Sequence, residues 1–128
     1  MSVPPHRTAI RTTNPFHTNS NLHHVYDPAA DRWAPRNPLP TARSGHVAVQ
    51  YRGKIFVMGG EGTSRVFGQN EGYDPQRDAW EQYAPMPTPR HGLGAAAIGD
   101  AIYVAGGGAV MGGEVQSAVH EAFTLAQP

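Results

Sequence analysis

The sequence repeats itself. Displaced by 47 residues, segment 26–60 lies on 73–107 without a gap, and 15 of the 35 columns are identical, where composition alone would give about two. A period of this length means that one supersecondary unit is used again, and that each copy needs a neighbour to bury its apolar face. The identities fall on residues with strong local consequences. Tyr26-Asp27-Pro28 matches Tyr73-Asp74-Pro75, Trp33 matches Trp80, and Pro40-Thr41 with Arg43 matches Pro87-Thr88 with Arg90. Gly45 matches Gly92, and Ile55, Val57, Gly59 and Gly60 match Ile102, Val104, Gly106 and Gly107. A third, partial copy follows at a displacement of 50, where Val119–Thr124 resembles the approach to Tyr73 and Phe123 takes the place of the tyrosine. The three added residues fall in the glycine-rich stretch 106–113. Residues 1–20, rich in Thr, Asn, His and Pro, match nothing and read as an irregular N-terminal segment.

One unit, read from Arg43 to Ala84, carries four short strand signals in order. His46–Tyr51 is apolar-rich, Arg52-Gly53 is a tight turn, and Lys54–Met58 holds the strongly strand-forming Ile55-Phe56-Val57. Gly59-Gly60 ends that strand, and a polar loop, 61–68, follows. Gln69–Tyr73 is a third strand, closed by the turn pair Asp74-Pro75, and Ala79–Tyr83 around Trp80 is a fourth. Four strands within about 45 residues make an antiparallel meander the size of one propeller blade. The first strand carries small residues (Gly45 and Ala48, then Gly92 and Gly94 to Ala97) suited to the crowded inner edge of a wedge. The bulk of Phe56, Tyr73 and Trp80 suits the wider gap between wedges. Glycine and proline, 15 and 12 of 128 residues, support a fold rich in turns and poor in helices.

Several function classes find no support. The net charge is zero, the one lysine is Lys54, and the nine arginines are scattered, so no basic face exists for nucleic acid. No apolar run is long enough to cross a membrane. Met1–Ile10 lacks the apolar centre of a secretory signal, and the compartment stays open. The chain has no cysteine, hence neither disulfides nor thiol chemistry. Gly106-Gly107-Gly108 follows a strand, yet Met111 breaks the dinucleotide spacing and no helix follows to meet a phosphate. No G-x-S-x-G elbow occurs. Asp27, Asp31, Asp74 and Asp78 lie in turns and lack the spacing of a calcium loop. Of seven histidines, His23 and His24 are adjacent and would face opposite sides of a strand. His46 and His91 hold non-equivalent repeat positions, and His6, His17 and His120 are far apart, so no metal is expected.

The order Arg-x-Gly, Ile-aromatic-Val, Gly-Gly, a polar loop, Tyr-Asp-Pro, then Trp and Met/Leu-Pro resembles the kelch repeat, across residues 21–124. It looks most like the last blades of bacterial kelch-repeat proteins. The resemblance implies an all-β fold, a partial β-propeller of four-stranded antiparallel blades, commonly six in a ring. Residues 21–128 would supply two to two and a half: a half blade at 21–37, a whole blade at 43–84 and three strands at 91–124. Tyr26, Trp33, Gly59, Gly60, Tyr73, Trp80, Gly106 and Gly107 would be its structural repeat residues. So few blades cannot close a ring, which leaves a truncated propeller, a ring of several chains or further blades from another chain, or an open fragment with no independent activity.

In such propellers ligands meet the mouth of the central channel. By position the candidates are Arg43, Arg90, Glu61 and Gln69. Paired arginines can grip carboxylates, but a residue present in both copies also reads as scaffold bonded to turn carbonyls. Glu61 and Gln69 have no twin and are better placed for specificity. The resemblance implies a binding or scaffold module for a protein segment or glycan, with no cofactor and no assigned catalytic residue. Kelch propellers also include copper oxidases with a cysteine-linked tyrosine, which a cysteine-free chain cannot form. They include sialic acid isomerases as well, whose Glu and Arg chemistry Glu61 with Arg43 or Arg90 could imitate.

Overall fold

The computed structural model describes residues 19–126. The expected irregular segment 1–20 therefore lies almost wholly outside the described residues, as do His6 and His17. Among the described residues the chain is all-β, with nine strands and no helix. Strands β1 (His24–Asp27) and β2 (Arg32–Pro35) form a two-stranded sheet. Strands β3 (Val47–Tyr51), β4 (Lys54–Met58), β5 (Asn70–Asp74) and β6 (Ala79–Tyr83) form a four-stranded meander in chain order. Strands β7 (Gly94–Ile98), β8 (Ala101–Ala105) and β9 (His120–Phe123) form a three-stranded one. All neighbours are antiparallel. The stretches 47–58 and 94–105 sit in separate sheets, as the repeat requires. Two boundaries differ by one residue from the sequence reading: β3 starts at Val47 rather than His46, and β5 spans Asn70–Asp74 rather than Gln69–Tyr73.

Local chemistry makes the hairpins. Arg52 and Gly53 both take positive φ (48° and 75°), the geometry of the tight turn whose twist suits flanking strands. The Tyr-Asp-Pro turns are built twice on one plan. Asp27 accepts from the amides of Ala29 and Ala30, and Asp74 from that of Gln76. Asp31 and Asp78 take the left-handed conformation (φ 50° and 49°), which Asp tolerates better than bulkier residues. Each then accepts the hydroxyl of the preceding tyrosine, Tyr26 to Asp31 at 2.6 Å and Tyr73 to Asp78 at 2.8 Å. Each tyrosine ring lies tilted at 44° against its tryptophan, with centroids 5.2 Å apart for Tyr26–Trp33 and 5.0 Å for Tyr73–Trp80.

The third copy joins by register. Phe123 pairs with Ile102 as Tyr73 pairs with Ile55, so the displacement of 50 is a structural equivalence. The core lies between the second and third sheets: Tyr51, Phe56, Met58, Met86, Ile102 and Val104 are buried together, with Tyr83, Leu93 and Phe123 against them. Phe56 meets Tyr83 of its own sheet at 5.0 Å and Phe123 across that seam at 5.5 Å. Inner strands β3 and β7 are neighbours. Single backbone bonds cross between units, Gly92 N–H to Gly45 O and Gly60 N–H to Arg90 O, both 2.8 Å. At Gly59, Gly60 and Gly107, though not at Gly106, a side chain would meet fixed backbone. A Cβ on Gly59 would stand 2.4 Å from Arg90 O, and one on Gly60 2.6 Å from Ser44 O.

The first sheet is joined differently. Asn37 donates its amide to Asp78 Oδ1 and its side chain to Asp78 O, and Trp80 Nε1 donates to Asn37 O at 2.9 Å. The His23 ring meets Tyr73 edge-on at 4.4 Å. Every residue of β1 and β2 is exposed. Trp33, repeat twin of the half-buried Trp80, is 69% exposed because nothing described lies where His23 and Asn37 stand for Trp80. Most of β7 is likewise exposed, while Ala95 packs on the core.

Candidate functional site

The two repeat arginines end in the interior. Arg43 is 2% exposed and Arg90 0%. Arg43 pairs with Glu71 at 2.9 Å and donates to the carbonyls of Val57 and Gln69. Arg90 pairs with Glu121 at 2.8 Å and donates to the carbonyls of Gly106 and Val119. Thr41 and Thr88, two residues before each arginine, donate their hydroxyls to the same glutamates. Each guanidinium thus ties the segment entering a sheet to that sheet's third strand. Burial pulls Arg43 below its ordinary pKa, and the Glu71 carboxylate opposes the shift. Neither fork points to solvent.

Glu71 and Glu121 are the residues sequence reasoning passed over. Their signal was present: each stands two residues before the aromatic of a third strand, Tyr73 or Phe123, at the displacement of 50. Their burial was not legible, because glutamate on a strand ordinarily faces water.

Glu61 is at the rim, where the polar loop turns back on itself. It bridges Ser44 on one side and Val66 on the other. Its carboxylate accepts the amide of Gly112 at 3.2 Å and faces His91 Nδ1 at 3.7 Å. The other ring nitrogen of His91 lies 2.8 Å from Val110 O, and donation there leaves Nδ1 without a proton in the neutral ring. Glu61 thereby ties the loop after β4 to the loop after β8. Gln69 is not brought to it. Its carbonyl accepts from Gly59 and Arg43, and it lines an adjoining depression with Arg65, Val66, Gln82, Tyr83, Met86 and Pro89.

Between the two loops lies a shallow depression of about 430 Å³, lined by Ser64, Arg65, Val66, Thr88, Pro89 and Ala109 to Met111. Val110 and Met111 are 54% and 42% exposed. The Arg65 guanidinium lies 4.6 Å above the Phe67 ring, a contact that holds a cation at the rim. His46 has an exposed surface beside Arg43, and its ordinary pKa is lowered by partial burial first and by the Arg43 charge second. Among the described residues no three His, Asp or Glu side chains converge as metal ligands.

Residues 42–87, which comprise the four-stranded sheet and its flanks, match the family model of the Kelch motif. No curated protein matches the chain at a significant level.

Proposed function

Because this is a kelch-repeat chain, we propose that it is a protein-binding module, with its contact surface at the rim formed by loops 61–68 and 108–113. One observation carries the reading. The residues repeated between copies are consumed as scaffold, while the two loops that differ between copies sit side by side and leave Val110, Met111 and Arg65 open to solvent. Apolar side chains beside a held arginine are the surface composition that protein interfaces favour. The blades would continue into a ring, with this rim at the channel mouth. A glycan-recognising or isomerase reading draws less support, since both guanidinium groups face inward, away from any acidic sugar at the rim.

The test is selection of a displayed peptide library against the purified chain. Enriched peptides are expected to lose affinity about tenfold or more when Met111→Asp or Arg65→Glu is introduced, the loss that marks an interface anchor. They should be indifferent to Trp33→Ala, far from the rim. Equal loss with Trp33→Ala, or none with the rim changes, would overturn the assignment. Mutarotation of an acidic sugar by the chain, abolished by Glu61→Gln, would replace it with the enzymatic one.

A further inference from the structure

The segments entering the second and third sheets carry the same backbone link with different side chains on it. Ser44 and Glu61 exchange two bonds, Glu61 N–H to Ser44 O at 2.7 Å and Ser44 N–H to Glu61 O at 3.1 Å. His91 and Gly108, their counterparts at the displacement of 47, exchange two more, at 3.0 and 2.9 Å. Each link ties an entering segment to the loop that leaves the second strand of its sheet. The link is scaffold, but its side chains are not repeated. Histidine replaces serine on one arm, and glycine replaces glutamate on the other. The exchange makes room for the imidazole, since a Cβ on Gly108 would stand 3.1 Å from His91 Nε2. It also sets that imidazole against the Glu61 carboxylate of the neighbouring unit, at 3.7 Å.

The neighbours of the ring decide where its proton sits. Val110 O can only accept, so Nε2, 2.8 Å away, carries the proton in the neutral ring. Nδ1 then turns a lone pair toward Glu61 Oε1, and 3.7 Å is too long for a hydrogen bond. The other oxygen of Glu61 accepts the Gly112 amide at 3.2 Å. A second proton on the ring converts this pair into a charged donor facing a charged acceptor. The side chains are 12% exposed for His91 and 28% for Glu61, so water screens the pair only in part. The remaining charged groups on the elements that meet here lie in other contacts. Arg43 and Arg90 are bonded inward to Glu71 and Glu121, and Arg65 lies over Phe67. His46 stands beside Gly60, with its pKa lowered by partial burial first and by the Arg43 charge second. Glu114, on the second loop, is exposed. Among the described residues no carboxylate other than that of Glu61 lies within 4 Å of a His91 nitrogen.

We infer that His91 is a proton-operated clasp that joins loop 61–68 to loop 108–113 and so tunes binding at the rim between them. The charged ring donates to Glu61 on one loop and to Val110 O on the other. The neutral ring donates only to Val110 O. Because the Glu61 carboxylate also holds Gly112, drawing it onto the ring pulls both loops to one point. Val110 and Met111 are then held in place across the depression from Arg65 and Val66. A surface ordered before binding loses less freedom when a partner arrives, so rim affinity rises as pH falls through the histidine range. That last step rests on the rim being the contact surface; the clasp itself does not.

The experiment follows the full chain by NMR at about pH 7.5 and about pH 5.5, on either side of ordinary histidine titration. Amide exchange is read as protection, corrected for its intrinsic pH dependence. Protection at Gly112 and its neighbours in 108–113 should rise about threefold at the lower pH, as for a partly exposed ion pair. Protection in β4 and β8 should not change. His91→Gln keeps a donor for Val110 O and Glu61→Gln keeps an acceptor for the Gly112 amide, yet neither variant should show the rise. A histidine-free peptide selected on the rim should bind about threefold more tightly at the lower pH, and equally at both pH values to His91→Gln. The inference falls if loop protection is the same at both pH values, if the rise persists in His91→Gln, or if it extends through β4 and β8. It falls too if peptide affinity does not follow loop protection. If selection yields no rim-dependent peptide, the rim reading fails alone, and loop protection still decides the clasp.

Discussion

At the residue scale the buried arginine–glutamate pairs and the paired glycines have opposite characters. An ion pair removed from water recovers its desolvation only when every bond is made, and breaking one side leaves a stranded charge. Arg43 and Glu71 are both fully buried. Glu71→Ala should therefore destabilise the chain by about 3–5 kcal/mol in denaturant titration. The double change Arg43→Met with Glu71→Leu should recover most of that loss, because apolar isosteres carry no desolvation cost. Glu121→Ala should be milder, since Glu121 keeps contact with solvent. The glycines act through space. Gly60 has φ 111° with Ser44 O 2.6 Å from a would-be Cβ, whereas Gly53 has φ 75° with nothing within 4 Å. Gly53→Ala carries only the backbone strain, about 1–3 kcal/mol. Gly60→Ala adds a clash with fixed backbone, and its urea midpoint should fall clearly below that of Gly53→Ala.

At the scale of elements, the Tyr-Asp-Pro turn doubles as a fastening between sheets. Asp78 accepts from Tyr73 of its own sheet and from the Asn37 amide of the segment leaving the first sheet. These bonds, the Asn37 amide foremost, hold its carboxyl below the ordinary value of 3.8. A depressed carboxylate contributes stability that is present above the unfolded pKa and is lost as pH falls through the folded one. The junction should thus weaken below about pH 4. In acid titration followed by tryptophan fluorescence, Asp78→Asn should flatten this limb and lower stability at neutral pH. The two tryptophans separate the sheets in the same experiment. Trp33 is 69% exposed, while Trp80 is half-buried under His23 and Asn37. With Trp80→Phe the remaining emission should be red-shifted and strongly quenched by acrylamide; with Trp33→Phe it should be bluer and quenched less.

For the whole molecule, stability is uneven because burial is uneven. The shared core lies between the second and third sheets, while the first sheet is exposed throughout and rests on the Asn37 and His23 contacts. Regions with few buried contacts open at lower free energy. Native-state hydrogen exchange should therefore find the slowest amides in β4 and β8 and the fastest strand amides in β1 and β2. Uniform protection across all three sheets would mean that the first sheet is covered in solution, which the exposed Tyr26–Trp33 pair does not indicate.

The sequence alone determined the unit and its repetition. Tyr-Asp-Pro, Trp, Gly-Gly and the Ile-aromatic-Val strand act within a few residues of themselves, through turn chemistry and strand propensity, so the four-stranded meander and the all-β class were legible without coordinates. Tertiary structure decided where repeated side chains point and which are covered. Arg43 and Arg90 face inward because Glu71 and Glu121 arrive from strands 28 and 31 residues away. Trp33 and Trp80 share one local geometry yet differ in exposure because, among the described residues, only Trp80 has a neighbouring unit against it. Local patterns fix conformation; burial depends on what another segment brings alongside.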